Sequence, residues 1–99
     1  MREKDIELHL KNEVKKLGGR AYKFVSPGNS GVPDRLVVLP GGFVWFVELK
    51  ATGKKTTALQ NNQIKYLRNL RHNVIVLDSK EQVNKFVSMV KDVMFGEAI

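Results

Sequence analysis

Ile6, Leu10, Val14 and Leu17 recur every three or four residues, and Lys4, Lys11, Lys15 and Lys16 lie mostly off that line. The spacing predicts an amphipathic helix over residues 3–17. Gly18-Gly19 supplies its C-cap, and the lysines just before it suit the negative end of the helix dipole. Arg20 to Val25 then alternates, with Ala21, Lys23 and Val25 on one side and Tyr22 and Phe24 on the other. That pattern predicts a strand near a sheet edge. Ser26 to Pro33 is a loop of glycine, proline and small polar residues, whose amides and Ser26 and Ser30 hydroxyls suit phosphate.

Leu36–Leu39 and Phe43–Leu49 are apolar on both faces and are joined by Pro40-Gly41-Gly42. Strands of this kind are covered on both sides, so helices are expected above and below the sheet. After Lys50 the chain turns polar and basic, a loop suited to lying over a nucleic-acid backbone. Residues 59–71 predict a second helix with Leu59, Ile64, Leu67 and Leu70 inward. Val74–Leu77 reads as a short buried strand after a turn at Asn73. Asp78-Ser79 opens a third helix running to about Val93, with Val83, Phe86, Val87, Val90 and Met94 on its apolar face. Phe95 to Ile99 are expected to fray, and Trp45 and Tyr66 to pack rather than stack on bases. The order helix, strand, strand, strand, helix, strand, helix makes this one α/β domain spanning residues 1–99 with a mixed sheet.

The hairpin carries the chemistry. With its turn centred on Gly41, residues whose numbers sum to 82 face each other, so Asp34 stands opposite Glu48. Directly opposed side chains have Cβ atoms about 4.5–5.5 Å apart. Lys50 shares the Glu48 face because strand side chains alternate. Two carboxylates this close repel unless a cation sits between them or one is protonated. Oxygen donors in that arrangement suit Mg²⁺, completed by water and phosphate oxygens. The pattern points to a metal-dependent phosphodiesterase centre.

Composition sharpens the partner. The 99 residues carry a formal charge of +7, which favours a polyanion such as DNA or RNA. From Lys50 to Arg71 there are six basic residues and no acidic one. Candidate backbone contacts are Ser30, Arg35, Lys54, Lys55, Lys65 and Arg68. The chain has no cysteine, so disulfides and thiolate zinc sites are excluded. The N-terminus is too polar for a signal peptide and no apolar run is long enough to cross a bilayer, so an intracellular, cytoplasmic protein without a membrane partner is expected. His9 and His72 stand alone, without metal-ligand spacing.

Pro33-Asp34, then Glu48-Leu49-Lys50 fourteen positions on, resembles the PD-(D/E)xK nuclease superfamily. The wider string G-V-P-D-R, then F-V-E-L-K-A, then Gln60 and Gln63 ahead of a basic helix resembles the virus-type replication-repair nuclease (VRR-NUC) domain in its stand-alone phage or viral form. The resemblance covers about residues 3–93. It implies a restriction-endonuclease-like α-β-β-β-α-β core with a C-terminal helix, and Mg²⁺- or Mn²⁺-dependent hydrolysis of DNA. It further implies a homodimer acting on branched or junction DNA in replication, recombination or repair, in a bacterium or in the host cell of a phage or virus. By the same resemblance Asp34, Glu48 and the Leu49 carbonyl hold the metal, Lys50 assists the chemistry and Gln63 supports the site, with Gln60 second to it. Glu3 is the first-helix glutamate of choice, in competition with Glu7 and Glu13. Glu13 also lies near the centre of the apolar stripe, where a charge needs a partner or a metal. The competing expectations are a basic nucleic-acid-binding module that cuts nothing, and a small structural subunit for an acidic protein partner. The end of the third helix, with Met89, Val93, Met94 and Phe95, is the surface to inspect for a dimer interface.

Overall fold

The computed structural model describes residues 1–96. Its elements are α1 (Glu3–Lys16), β1 (Arg20–Lys23), β2 (Arg35–Leu39), β3 (Phe43–Leu49), α2 (Ala58–Asn69), β4 (Val74–Leu77) and α3 (Lys80–Lys91), followed by a π-helical turn, Asp92–Gly96. Of the tail expected to fray, Phe95 and Gly96 belong to that turn, and the rest lies outside the described residues.

The strands form one sheet in the order β1-β2-β3-β4, antiparallel twice and then parallel. This is the mixed sheet that the central hairpin and the final strand–helix pair predict. The β2–β3 register runs from Leu39 opposite Phe43 to Arg35 opposite Val47. Every pair sums to 82, and one further step sets Asp34 against Glu48. Gly41 and Gly42 at the turn have φ of +86° and +83°, a region that glycine enters without a Cβ penalty.

One sheet face carries the core. Ile6, Leu10 and Val14 of α1 and Val83, Phe86 and Val90 of α3 are buried against Val37, Leu39, Val47, Leu49 and Leu77. The Trp45 ring meets Phe86 edge-on at 5.3 Å, so Trp45 is a packing residue as expected. The other face, which holds Glu48, Phe46 and Val76 by strand alternation, is covered more thinly. Ile64 is the one buried residue of α2. Leu59 and Leu70, expected on an inner stripe, are 51% and 52% exposed, and Tyr66, expected to pack, is 62% exposed. The reason is geometric: α2 engages the site through its N-terminal turn and leaves much of its length to solvent.

Helix ends follow local chemistry. Gly18, at φ +86°, closes α1 with the paired bonds of a Schellman motif, Gly18 N–H to Lys15 O and Gly19 N–H to Val14 O. α2 ends at Asn69, two residues short of the expected boundary. Arg71, just past the Leu70 C-cap, is left-handed at φ +71°, and the same two bonds form, Arg71 N–H to Arg68 O and His72 N–H to Leu67 O. Ser79 caps α3 through Gln82 N–H. β1 stops at Lys23, two residues early, although Phe24 N–H still donates to Asp34 O at 2.8 Å. Among the described residues no helix is long and apolar enough to cross a membrane.

Candidate active site

The site forms where β2 begins and β3 ends. Asp34 sits just before β2, and its Oδ1 accepts a 3.0 Å hydrogen bond from Leu49 N–H, tying the two strand ends together. Glu48 is 4% exposed. Its Oε2 lies 3.4 Å from Lys50 Nζ and 3.2 Å from Gln60 Nε2. Lys50 N–H in turn donates to Leu77 O at 3.0 Å, which extends the parallel ladder and fixes where its side chain begins.

The electrostatics are those of a site short of positive charge. Burial pushes the Glu48 carboxyl up to about 7, and the neighbouring Asp34 charge adds to the rise, while Lys50 only partly offsets it. Asp34 is also raised, by burial first, against the Leu49 N–H and the Arg35 charge that pull it down. A divalent cation between them would favour both ionised forms, so the donor set fits a hard oxygen-seeking metal. Among the described residues no group of three or more His, Cys, Asp and Glu side chains converges. The pair therefore leaves most of a coordination sphere to backbone carbonyl, water and phosphate oxygens, an arrangement Mg²⁺ accepts.

The glutamines are ordered differently from expectation. Gln60, ranked second, is the one that reaches Glu48. Gln63 instead donates to the Ser30 carbonyl at 3.4 Å and braces the loop before Asp34. The cause is the capping box of α2. Thr57 Oγ1 accepts from Gln60 N–H, and Gln60 Oε1 accepts from Thr57 N–H at 2.9 Å, which leaves the Gln60 amide NH₂ aimed at Glu48. The signal was present in the sequence as Thr57-x-x-Gln60.

The first-helix glutamates separate by their partners. Glu7 pairs with the Arg35 guanidinium and Glu13 with Lys16 Nζ at 2.8 Å. Glu13 thus finds the partner that its place near the apolar stripe requires. Glu3 makes no ion pair among the described residues, and its charge contributes to the raised Glu48 carboxyl. Arg35, expected as a nucleic-acid contact, is turned by strand alternation to the α1 face, where it is 8% exposed and also donates to Ala21 O. Ser30, Lys54, Lys55 and Lys65 are exposed as expected. Arg68 is exposed too, but one guanidinium nitrogen donates to Val74 O at 2.9 Å and braces the start of β4. The Ser26 hydroxyl accepts from Asn29 Nδ2 within the loop.

Gly31 places the loop. Its φ is +88°, and a Cβ there would stand 2.9 Å from the Leu59 backbone. Gly31→Ala should therefore cost about 1–3 kcal/mol by chemical denaturation, because strain and a backbone clash coincide. An unchanged midpoint would show that the loop is not docked on α2.

No family model matches the chain. It is 58% identical over 81 residues to a protein of Acyrthosiphon pisum secondary endosymbiont phage 1 described as "Putative nuclease p44", an alignment covering 82% of this chain and 87% of that one. A solved structure described as a VRR_NUC domain superposes with a TM-score of 0.82 at 36% identity, over 87% of this chain and 94% of that chain. With the α/β core, the strand-end carboxylates and these two relatives in agreement, the chain belongs to the VRR-NUC family of PD-(D/E)xK-like nucleases.

Proposed function

We propose that this protein is a Mg²⁺- or Mn²⁺-dependent endonuclease that hydrolyses DNA phosphodiester bonds, with a preference for branched or junction DNA. The observation that carries the reading is the Asp34–Glu48 pair, two carboxylates at facing strand ends beside Lys50, each held above its ordinary carboxylate range by burial. Asp34 and Glu48, with the Leu49 carbonyl, would hold the cation. When bound, it supplies Lewis-acid charge to phosphate oxygens and makes a neighbouring water a better nucleophile.

The chain's own groups do the rest. Leu49 N–H fixes the Asp34 carboxylate, and Gln60 fixes Glu48. Lys50, with a side chain only 14% exposed, holds a positive charge where negative charge develops on the phosphate. Glu3 is a further acidic neighbour, whose charge adds to the raised Glu48 carboxyl as that of Glu7 does for Asp34. Lys54, Lys55 and Lys65 suit the phosphate backbone, where contacts position DNA without reading sequence. One site cuts one strand, so symmetric cutting of a junction asks for a two-fold pair of chains. Met89, Val93 and Phe95 are exposed and suit that contact, whereas Met94 packs on the core.

Because Gln60 touches Glu48 and Gln63 does not, Gln60→Ala should slow cleavage about 10- to 100-fold, the usual cost of losing a group that orients a metal ligand. Gln63→Ala should cost less, and single-turnover rates decide the order. The reading itself is tested on single-stranded, duplex, flap and four-way-junction DNA with Mg²⁺, Mn²⁺ or EDTA. Metal-dependent cutting strongest on branched forms is expected. Binding without cutting in any metal would leave the non-catalytic basic module as the better account.

A further inference from the structure

A second basic surface lies on the opposite side of the edge strand from the carboxylates. α1 and β1 enclose a groove of about 570 Å³ whose charged lining is Lys11, Lys15, Arg20, Lys23 and Arg35, with no acidic side chain among its lining residues. Lys11 and Lys15 stand one helical turn apart, about 6 Å along the axis. Among the described residues neither they nor Arg20 nor Lys23 pairs with a carboxylate.

Arg35 lines the same groove. It is 8% exposed, and its Nε is buried without a hydrogen-bond partner. Glu7 balances its charge from α1. Lys23 is its directly opposed partner on β1, and like charges in that relation destabilise a sheet. The arrangement thus concentrates positive charge beyond what the fold neutralises, around an incompletely satisfied guanidinium. An anion in the groove would offset the repulsion between Lys23 and Arg35. The end of β1 adjoins the start of β2 where Asp34 stands, since Phe24, the residue after Lys23, donates its N–H to the Asp34 carbonyl.

We propose that this groove is a second binding site for nucleic-acid phosphate backbone, engaged while the carboxylate site holds the strand to be cut. The inference rests on the proposed action on DNA, but its test reads binding without metal and so stands apart from cleavage. Binding of labelled duplex and four-way-junction DNA would be followed by fluorescence anisotropy in EDTA across a KCl series. The triple variant Lys11→Ala/Lys15→Ala/Lys23→Ala would be compared with Lys80→Ala/Lys85→Ala/Lys91→Ala on α3, which loses the same charge elsewhere. Arg35 stays in place, because removing it would strand Glu7.

The groove variant should lose about tenfold or more in affinity at low salt, and its slope of log K against log[salt] should flatten by about 2–3. The α3 variant should stay within about twofold of the wild type. Equal losses in the two variants, or wild-type binding by the groove variant, would overturn the proposal. Lys11→Gln/Lys15→Gln, confined to exposed helix positions, repeats the comparison without touching the strand. A wild type that binds DNA but never cuts it would defeat the nuclease reading and leave this one standing.

Discussion

Asp34→Asn should lower the rate of DNA cleavage by about 10³-fold or more in saturating Mg²⁺, since several kcal/mol of metal-borne stabilisation depend on that charge. The substitution is chosen because asparagine keeps an oxygen for the 3.0 Å bond from Leu49 N–H, so the strand ends stay tied. DNA binding in EDTA should be unchanged or slightly tighter, because a negative charge facing the phosphate has gone. The measurement is a single-turnover rate beside an anisotropy titration, with a melting curve to show that the fold is intact. A variant that cuts at more than a tenth of the wild-type rate would remove Asp34 from the mechanism.

Glu48→Gln should stabilise the metal-free protein at pH 8. The carboxyl rises from 4.5 to about 7 on folding, a difference of about 3 kcal/mol between its two protonation states. A raised folded value means that the native state holds its proton longer than the unfolded chain does. The full stability is therefore present below pH 4.5 and falls as the pH climbs through about 7. Glutamine removes that loss while keeping an oxygen for the Gln60 amide. In EDTA at pH 8 the variant should melt about 10 °C higher, and its stability should be nearly flat between pH 5 and pH 8. Adding Mn²⁺ should raise the wild-type melting temperature and not that of the variant, because only the wild type gains a ligand. A variant less stable than the wild type at pH 8 would show that Glu48 is satisfied by Lys50 and Gln60 alone.

The hairpin was readable from the sequence because its information is local. Strand alternation and one glycine turn fix the register, and the register alone sets Asp34 against Glu48 with Lys50 on the same face. The helix caps at Gly18 and Ser79 were readable for the same reason. What escaped depends on how separate elements meet. The preference for Gln60 over Gln63 turns on where the α2 capping box falls relative to β3. Arg35 carries a charge that looks available in a basic chain, yet alternation sends it inward to Glu7 on α1, 28 positions before it in the sequence. Leu59 and Leu70 match a helical stripe, but of α2 Ile64 alone is buried, and those two leucines stay about half exposed. Hydrophobic spacing marks a face that is able to be buried, and packing decides how much of it is.

If the proposed function holds, Asp34 and Glu48 form one divalent-cation site. Mn²⁺ binding followed by electron paramagnetic resonance at pH 7, on the wild type and on Asp34→Asn/Glu48→Gln, tests it most directly. The wild type should bind saturably and release protons, because Glu48, raised to about 7, is partly protonated near pH 7, and the double variant should show neither signal. Equal binding by both proteins would contradict it.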